Sequence, residues 1–521
     1  MSKNTYQSIR QLIDARAEQC PDEIFLYVAE SDKELTFQEL QKNCQKVERY
    51  LDKQNINAAQ TVGFLMDNGY WTVCLFLGVM YSGRVVLPMN AVAGPEQLMY
   101  TVEHSELKLI FYSLDYQRQY PQLLSETHQI EKGFTALQAD EDIGAEQINA
   151  LSDEYKINEI DIESIALMIY TSGTTGRPKG VLLSQGNVIA GGENTVQAHH
   201  LSNEDVGLCV LPLYHINAEI VSVIAPLLSA GSVVMAKKLS ISQFWVWISK
   251  FSCTWFSAVP TIFSYLLEAR QRELQKKITT IVNFEKIQKH VRFGRSASAA
   301  LSPAVHTEFE ALFGINIVET MGISECTAQI LSNPVNKEVD YYGSPGLPVG
   351  NEMRIVNAAH ESLKDDEIGE LAVRGKNIMA GYFKNSDATA EALDDQGWFY
   401  TGDLGFRNKD GYFFVTGRSK ELIIRGGENI APREIDDVLY KRSEVLEAAA
   451  FGVVNDYYGQ EVFACVSLKP GLDCSEEELL LHCQNLLGQI KSPKRILIID
   501  ELPKGPSGKI QRLKLAEREF E

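Results

Sequence analysis

The run Tyr170-Thr171-Ser172-Gly173-Thr174-Thr175-Gly176-Arg177-Pro178-Lys179-Gly180 holds three glycines, four aliphatic hydroxyls and two cations. Glycine lets a backbone approach a ligand closely, and exposed N–H groups together with hydroxyls can wrap phosphate oxygens. Arg177 and Lys179 add positive charge suited to a polyphosphate. A plain surface turn needs one glycine, not this density of phosphate-friendly groups. No Gly-Lys-Ser/Thr triplet stands at the Walker spacing, so the loop is of another kind. The apolar run 165–169 just before it reads as a buried strand, which puts the loop at a strand end.

Other residues with chemical potential stand in similar settings. Pro212-Leu213-Tyr214-His215 follows the apolar Cys209-Val210-Leu211, and its histidine is either a core residue or a site group. Glu319-Thr320-Met321-Gly322-Ile323-Ser324-Glu325 follows a strand-like stretch at 315–318. Glu325 offers an oxygen donor suited to a hard cation bridging phosphates. Gly397-Trp398-Phe399-Tyr400-Thr401-Gly402-Asp403 sets a carboxylate on a tight turn, where it could accept both hydroxyls of a ribose or simply close the turn. Gly417-Arg418-Ser419-Lys420 and the double glycine of Arg425-Gly426-Gly427-Glu428 come next. In Pro503-Lys504-Gly505-Pro506-Ser507-Gly508-Lys509-Ile510, Lys509 could bring a compact charge to a developing carboxylate–phosphate bond.

In this order the runs resemble the signatures of the adenylate-forming enzymes, which include acyl-CoA synthetases, peptide-synthetase adenylation domains and luciferases. The resemblance covers roughly residues 10–515. It implies an ATP site built from Thr171, Ser172, Gly173, Thr174, Thr175, Gly176, Lys179, Ser298, Glu319, Thr320, Met321, Gly322 and Ser324. Met321 stands where an aromatic usually stacks on adenine, and Ser324 replaces a threonine while keeping the hydroxyl. The same resemblance makes Glu325 and Thr171 the Mg²⁺ ligands, Asp403 the ribose acceptor and Arg418 a nucleotide contact. His215 would line the acyl and thiol sites, Lys420 would be the hinge, Gly426 and Gly427 would border the thiol tunnel, and Lys509 would be the catalytic cation.

The implied chemistry has two steps. A carboxylate attacks the α-phosphorus of Mg·ATP, giving an acyl-adenylate and pyrophosphate, and a thiol then displaces AMP. Positioning and charge stabilisation suffice, which agrees with the lack of a convincing Ser/His/Asp or Cys/His set. The thiol is expected to be coenzyme A, with the phosphopantetheine of a carrier protein as the alternative. A nucleotide-binding pseudoenzyme is the remaining alternative, and intact Glu325, Asp403 and Lys509 argue against it.

For the acid, Ala218 stands where amino-acid-activating members carry an aspartate, which argues against an α-amino acid. Phe293-Gly294-Arg295-Ser296-Ala297-Ser298-Ala299 resembles the oxalyl-CoA and related small-acid synthetases, so a short or polar acid is expected. Arg295 either forks onto a polar group of that acid or belongs to a structural ion pair.

The elements that must hold these residues are legible in outline. At 521 residues two or more domains are expected. Helical patterns alternate with short apolar runs at 62–66, 85–87 and 109–111, and again around 232–236, 253–259 and 291–296, which indicates α/β sheets covered by helices. The stretch 220–236, broken by Pro226, Ser229 and Gly231, reads as a buried helix, a turn and a strand rather than a membrane span. After about residue 350 short strands with glycine-rich turns suggest a small β-barrel-like part. A large N-terminal domain at 1–419 and a small mobile α+β domain at 420–521 are expected. Thr36-x-x-Glu39 and Ser475-x-x-Glu478 are capping boxes that start helices.

The net charge of −20 argues against nucleic acid or an anionic membrane as main partner. Nine scattered cysteines without a Cys-x-x-Cys pair, and a start without the apolar core of a signal peptide, point to reduced thiols in a cytoplasmic enzyme.

Overall fold

The computed structural model describes residues 6–90, 92–121, 134–140, 145, 148, 159–171, 178–277, 282–336, 341–455, 457–504 and 510–517. Two helix-covered sheets form the bulk of the chain. Among the described residues the larger has nine strands, ordered Leu347–Pro348, Ala328–Ser332, Ile317–Ile323, Phe293–Ser296, Trp255–Ala258, Val206–Cys209, Ser232–Met235, Ile24–Val28 and Glu34–Thr36. The five strands from Ile317–Ile323 to Ser232–Met235 in this order run parallel, so their carboxyl ends share one edge, where open α/β sheets bind ligands. The second sheet has seven strands and includes the hairpin of Ile165–Thr171 with Lys179–Ser184.

Local chemistry explains the helices. Thr36 caps Phe37–Lys53 with the reciprocal Thr36/Glu39 bonds of a capping box, and Leu40, Cys44, Val47 and Leu51 all face the core. Helix Tyr70–Tyr81 is apolar on all sides and buried from Trp71 onward, as a helix inside a layered core must be. The stretch 220–236 divides as expected into a helical part, a turn and a strand, but the helical part is a π-helix, Asn217–Ile224, that passes into Ala225–Ser229. Ala230 then turns left-handed at φ 58° before strand Ser232–Met235.

Strands Glu352–Val356, Gly369–Arg374, Phe399–Arg407 and Phe413–Arg418 form an antiparallel sheet. Beyond it, residues from Ile423 to Leu515 bury apolar side chains in clusters of their own. Hairpin Val445–Asn455/Gly459–Leu468 and helices Pro432–Leu439 and Glu476–Lys491 build this unit. Ser475 and Glu478 form the expected capping box on Glu476–Lys491. All nine cysteines are free. Among the described residues no helix is long and apolar enough to cross a membrane.

Candidate active site

Thr171 is the last residue of its strand and lies opposite Lys179, the first of the next, in antiparallel register. Ser172, Gly173, Thr174, Thr175, Gly176 and Arg177 between them lie outside the described residues. Strand Gly381–Tyr382 adds to the same sheet beside Lys179–Ser184. This brings Lys179 Nζ to 4.6 Å from the centre of the Tyr382 ring, a cation–π contact. The Tyr382 hydroxyl donates to Glu325 Oε1 at 3.0 Å. Burial, then the Glu325 carboxylate, raises the Tyr382 phenol above its ordinary range, so it stays protonated and donating. Lys179 and Glu325, from two separate motifs, thus meet on one tyrosine that the sequence did not single out. In one sequence the pair Gly381-Tyr382 carries no chemical signal of its own.

Glu319, Thr320, Met321 and Gly322 lie on strand Ile317–Ile323, and Ser324 and Glu325 lie on the 3-10 turn that follows. Gly322 is required by close approach: a Cβ there would stand 1.9 Å from the Ala328 carbonyl oxygen. Thr320 Oγ1 donates to the Ser296 carbonyl at 3.0 Å, which fixes this strand to Phe293–Ser296. Ser298, just beyond, is exposed with φ 71°. Met321 is half-buried against the main core. The Glu319 carboxylate is 2% exposed; it accepts from the Leu301 N–H at 3.2 Å and lies 4.0 Å from Arg433 Nη2. Burial raises its carboxyl and Arg433 opposes that rise.

Asp403 sits on strand Phe399–Arg407 directly opposite Arg418, whose Nε donates to Asp403 Oδ1 at 3.1 Å. The Asp403 charge raises the Arg418 guanidinium further. The turn before Asp403 is held by Thr401, which donates to the Leu371 carbonyl at 2.9 Å and accepts from the Asp403 N–H at 3.1 Å. Lys420 is exposed in the short turn Ser419–Glu421. Gly426 and Gly427, at φ 59° and 87°, make the two-residue turn of a hairpin in which Arg425 faces Glu428; two positive φ values favour glycine. Lys509 lies outside the described residues; Lys504 and Ile510, which flank residues 505–509 in sequence, form an antiparallel bridge. Lys504 also binds Glu447 at 2.9 Å and donates to Tyr265 at 3.3 Å.

His215 stacks edge-on against Tyr214, with ring centres 4.6 Å apart, and its carbonyl accepts from Glu219 at the mouth of the π-helix. Two residues on, Asn217 joins Arg295, which is 2% exposed. The ion-pair alternative for Arg295 does not hold among the described residues: its hydrogen-bond partners there are Asn217, Ser257 and Gln329, all neutral. Periodicity could not have found Gln329 or Arg433, since their partners Arg295 and Glu319 lie on other elements, far off in the sequence.

The Glu325 carboxylate, held by Tyr382, offers the kind of oxygen donor that fits Mg²⁺, which takes one or two carboxylates and completes its shell with phosphate oxygens. Asp403, held by Arg418, fits a ribose. Residues disposed in this way suit a site that joins an acid to AMP.

Known proteins agree. The AMP-binding enzyme model matches residues 13–383, and the AMP-binding enzyme C-terminal domain matches 434–509. The sulfoacetate–CoA ligase of Cupriavidus necator is 41% identical, over 98% of this chain and 97% of its own. The oxalate–CoA ligase of Arabidopsis thaliana is 32% identical, over 91% of each. The crystal structure of ATP-bound MatB from Rhodopseudomonas palustris superposes with a TM-score of 0.87, at 25% identity and 98% coverage of both chains. The chain belongs to the AMP-binding enzyme family, within the adenylate-forming acyl-CoA synthetases.

Proposed function

We propose that this enzyme activates a short, polar carboxylic acid with Mg·ATP and passes the acyl group to coenzyme A in the cytoplasm, with no nucleic-acid partner. The observation that carries the reading is the meeting of Lys179 and Glu325 on Tyr382. The Asp403–Arg418 pair supports it at the ribose end. In this reading Thr171 and Glu325 hold Mg²⁺ against the phosphates, and the 172–176 loop with Ser324 and Lys179 wraps them. Lys509 stabilises the charge that develops as the acid carboxylate meets the α-phosphorus. His215 lines the acyl and thiol sites. The small domain begins at Lys420 and turns there between the half-reactions, bringing Gly426 and Gly427 to the pantetheine arm.

The short, polar acid is supported by the relatives named for sulfoacetate and oxalate, and Ala218 argues against an α-amino acid. A panel of carboxylic acids scored by AMP release, each with coenzyme A or with a phosphopantetheine-loaded carrier protein, tests the reading. Release confined to long apolar acids, or to the carrier protein, would contradict it.

A further inference from the structure

Strand Trp255–Ala258 of the larger sheet passes directly into helix Pro260–Gln275, so the first turns of that helix stand at the sheet's carboxyl edge. Tyr265 lies in the second of those turns and is half-buried. Its hydroxyl accepts from Lys504 Nζ at 3.3 Å, and the ammonium stands 5.9 Å from the centre of its ring. Lys504 belongs to the C-terminal unit, so this contact joins the two parts of the chain.

Lys504 is held first by its own unit. Its Nζ is 2.9 Å from Oε1 of Glu447, on strand Val445–Asn455, and Glu447 is 4% exposed. A carboxylate so deeply buried needs a cation beside it. Glu501 is 3.6 Å from the same ammonium but exposed, and such a pair contributes little. Burial works against the charge on Lys504 and the Glu447 carboxylate outweighs it, so the side chain stays an ammonium. With several N–H donors on one nitrogen, it can face Glu447 and still donate to Tyr265.

The backbone around Lys504 is fixed as well. Lys504 bridges Ile510, the Gln511 N–H donates to the Pro503 carbonyl at 2.8 Å, and Leu502 and Ile510 pack in one apolar cluster with Phe451 and Leu515. Lys504 therefore moves with the C-terminal unit, and Tyr265 moves with the large sheet. Arg433 also crosses between the parts, reaching Glu319, but it stands close in sequence to the boundary near residue 420. Lys504 comes near the other end of the unit's sequence and gives a second point of attachment. Two points of attachment define an orientation that one does not.

We infer that Tyr265 and Lys504 are positioning residues for the adenylation step: their contact seats the C-terminal unit on the carboxyl edge of the large sheet, and it breaks when the unit turns for thiolysis. This rests on the two-step reading above. Glu447 keeps Lys504 charged throughout, so only the hydrogen bond to Tyr265 is made and broken.

Tyr265→Phe keeps the ring and removes only the acceptor oxygen. With sulfoacetate or oxalate as the acid, it should lower pyrophosphate exchange about tenfold through kcat, the effect of losing one hydrogen bond to a charged group. The KM for ATP, the melting curve and thiolysis of a supplied acyl-adenylate by coenzyme A should hold. Lys504→Met removes the same contact from the other side, and the double variant should exchange no more slowly than Lys504→Met alone. Lys504→Arg, which keeps the charge and the donors, should retain most of the exchange. Wild-type exchange in Tyr265→Phe, or equal loss in exchange and thiolysis, would overturn the inference. Tryptic cleavage after Lys420 in the absence of substrates reads the seating itself: the fragment 421–521 should appear several-fold faster in Tyr265→Phe. If no acid supports exchange in the wild type, that faster cleavage upholds the contact while the acid-activating reading falls, and equal cleavage rates in the two proteins sink the contact.

Discussion

Arg433, on the first turn of helix Pro432–Leu439, reaches across to Glu319, on the strand that leads into the nucleotide motif; Nη2 and Oε1 are 4.0 Å apart. The same guanidinium donates to the Val415 carbonyl at 2.9 Å and to the Gly343 carbonyl at 3.1 Å. One side chain of the C-terminal part is thereby tied to three places in the large part. Arg433→Leu should loosen this arrangement. Acid-dependent pyrophosphate exchange should fall about tenfold, the equivalent of about 1.4 kcal/mol, while thiolysis of a supplied acyl-adenylate holds. Equal loss in both assays would mean that the contact serves stability alone.

Lys420 is flanked by residues tied in opposite directions. Ser419 Oγ donates to the Gly402 carbonyl at 3.2 Å, and Glu421 lies 3.6 Å from Arg512 Nε of the C-terminal unit. A rotation between the two parts would be absorbed by the residue in between. Lys420→Pro fixes φ near −65° and should hold one arrangement. Adenylation should survive and thioester formation should fall steeply in single-turnover assays. Parallel losses with an unchanged melting curve would rule Lys420 out as the pivot.

The sequence made the scaffold readable where one short-range rule dominates. Thr36 and Glu39, or Ser475 and Glu478, satisfy each other within a single turn, so the helix starts could be read directly. The double glycine Gly426-Gly427 promised backbone freedom, and in the structure it makes a two-residue hairpin turn. The π-helix at Asn217–Ile224 was legible only as a helix, because its wider turn leaves no mark in composition. Tyr382 bonds Glu325 from 57 positions away, and no periodicity encodes such a meeting. The reading of Arg295 stayed open between ligand and ion pair, since only its surroundings could show that every partner is neutral.

Tyr382 fixes the direction of Glu325, so the two should be separable by mutation. Glu325→Gln removes the anionic oxygen and should raise the Mg²⁺ concentration needed for half-maximal exchange about tenfold or more. Tyr382→Phe keeps the charge but frees its orientation, and should raise it only a few-fold, in line with the loss of one hydrogen bond to a charged group. Magnesium titrations of both variants decide. A wild-type magnesium dependence in Glu325→Gln would exclude Glu325 as a ligand.

Lys509→Ala should abolish the first half-reaction and spare the second, since the lysine meets charge only while the carboxylate–phosphate bond forms. A loss of about 3 kcal/mol of transition-state stabilisation corresponds to roughly a hundredfold or more in rate. Pyrophosphate exchange and thiolysis of supplied acyl-adenylate, measured side by side, report the two steps. Near-normal exchange would remove Lys509 from the mechanism.

The formation of an acyl-adenylate is tested most directly by the fate of the acid's own oxygen. Malonate or sulfoacetate carrying ¹⁸O in its carboxylate is turned over with Mg·ATP and coenzyme A, and the nucleotide product is weighed by mass spectrometry. Attack of the carboxylate on the α-phosphorus leaves one acid oxygen on that phosphorus when the thiol displaces it, so the expected product is AMP carrying a single ¹⁸O. Unlabelled AMP, or ADP with the label in inorganic phosphate, would contradict it.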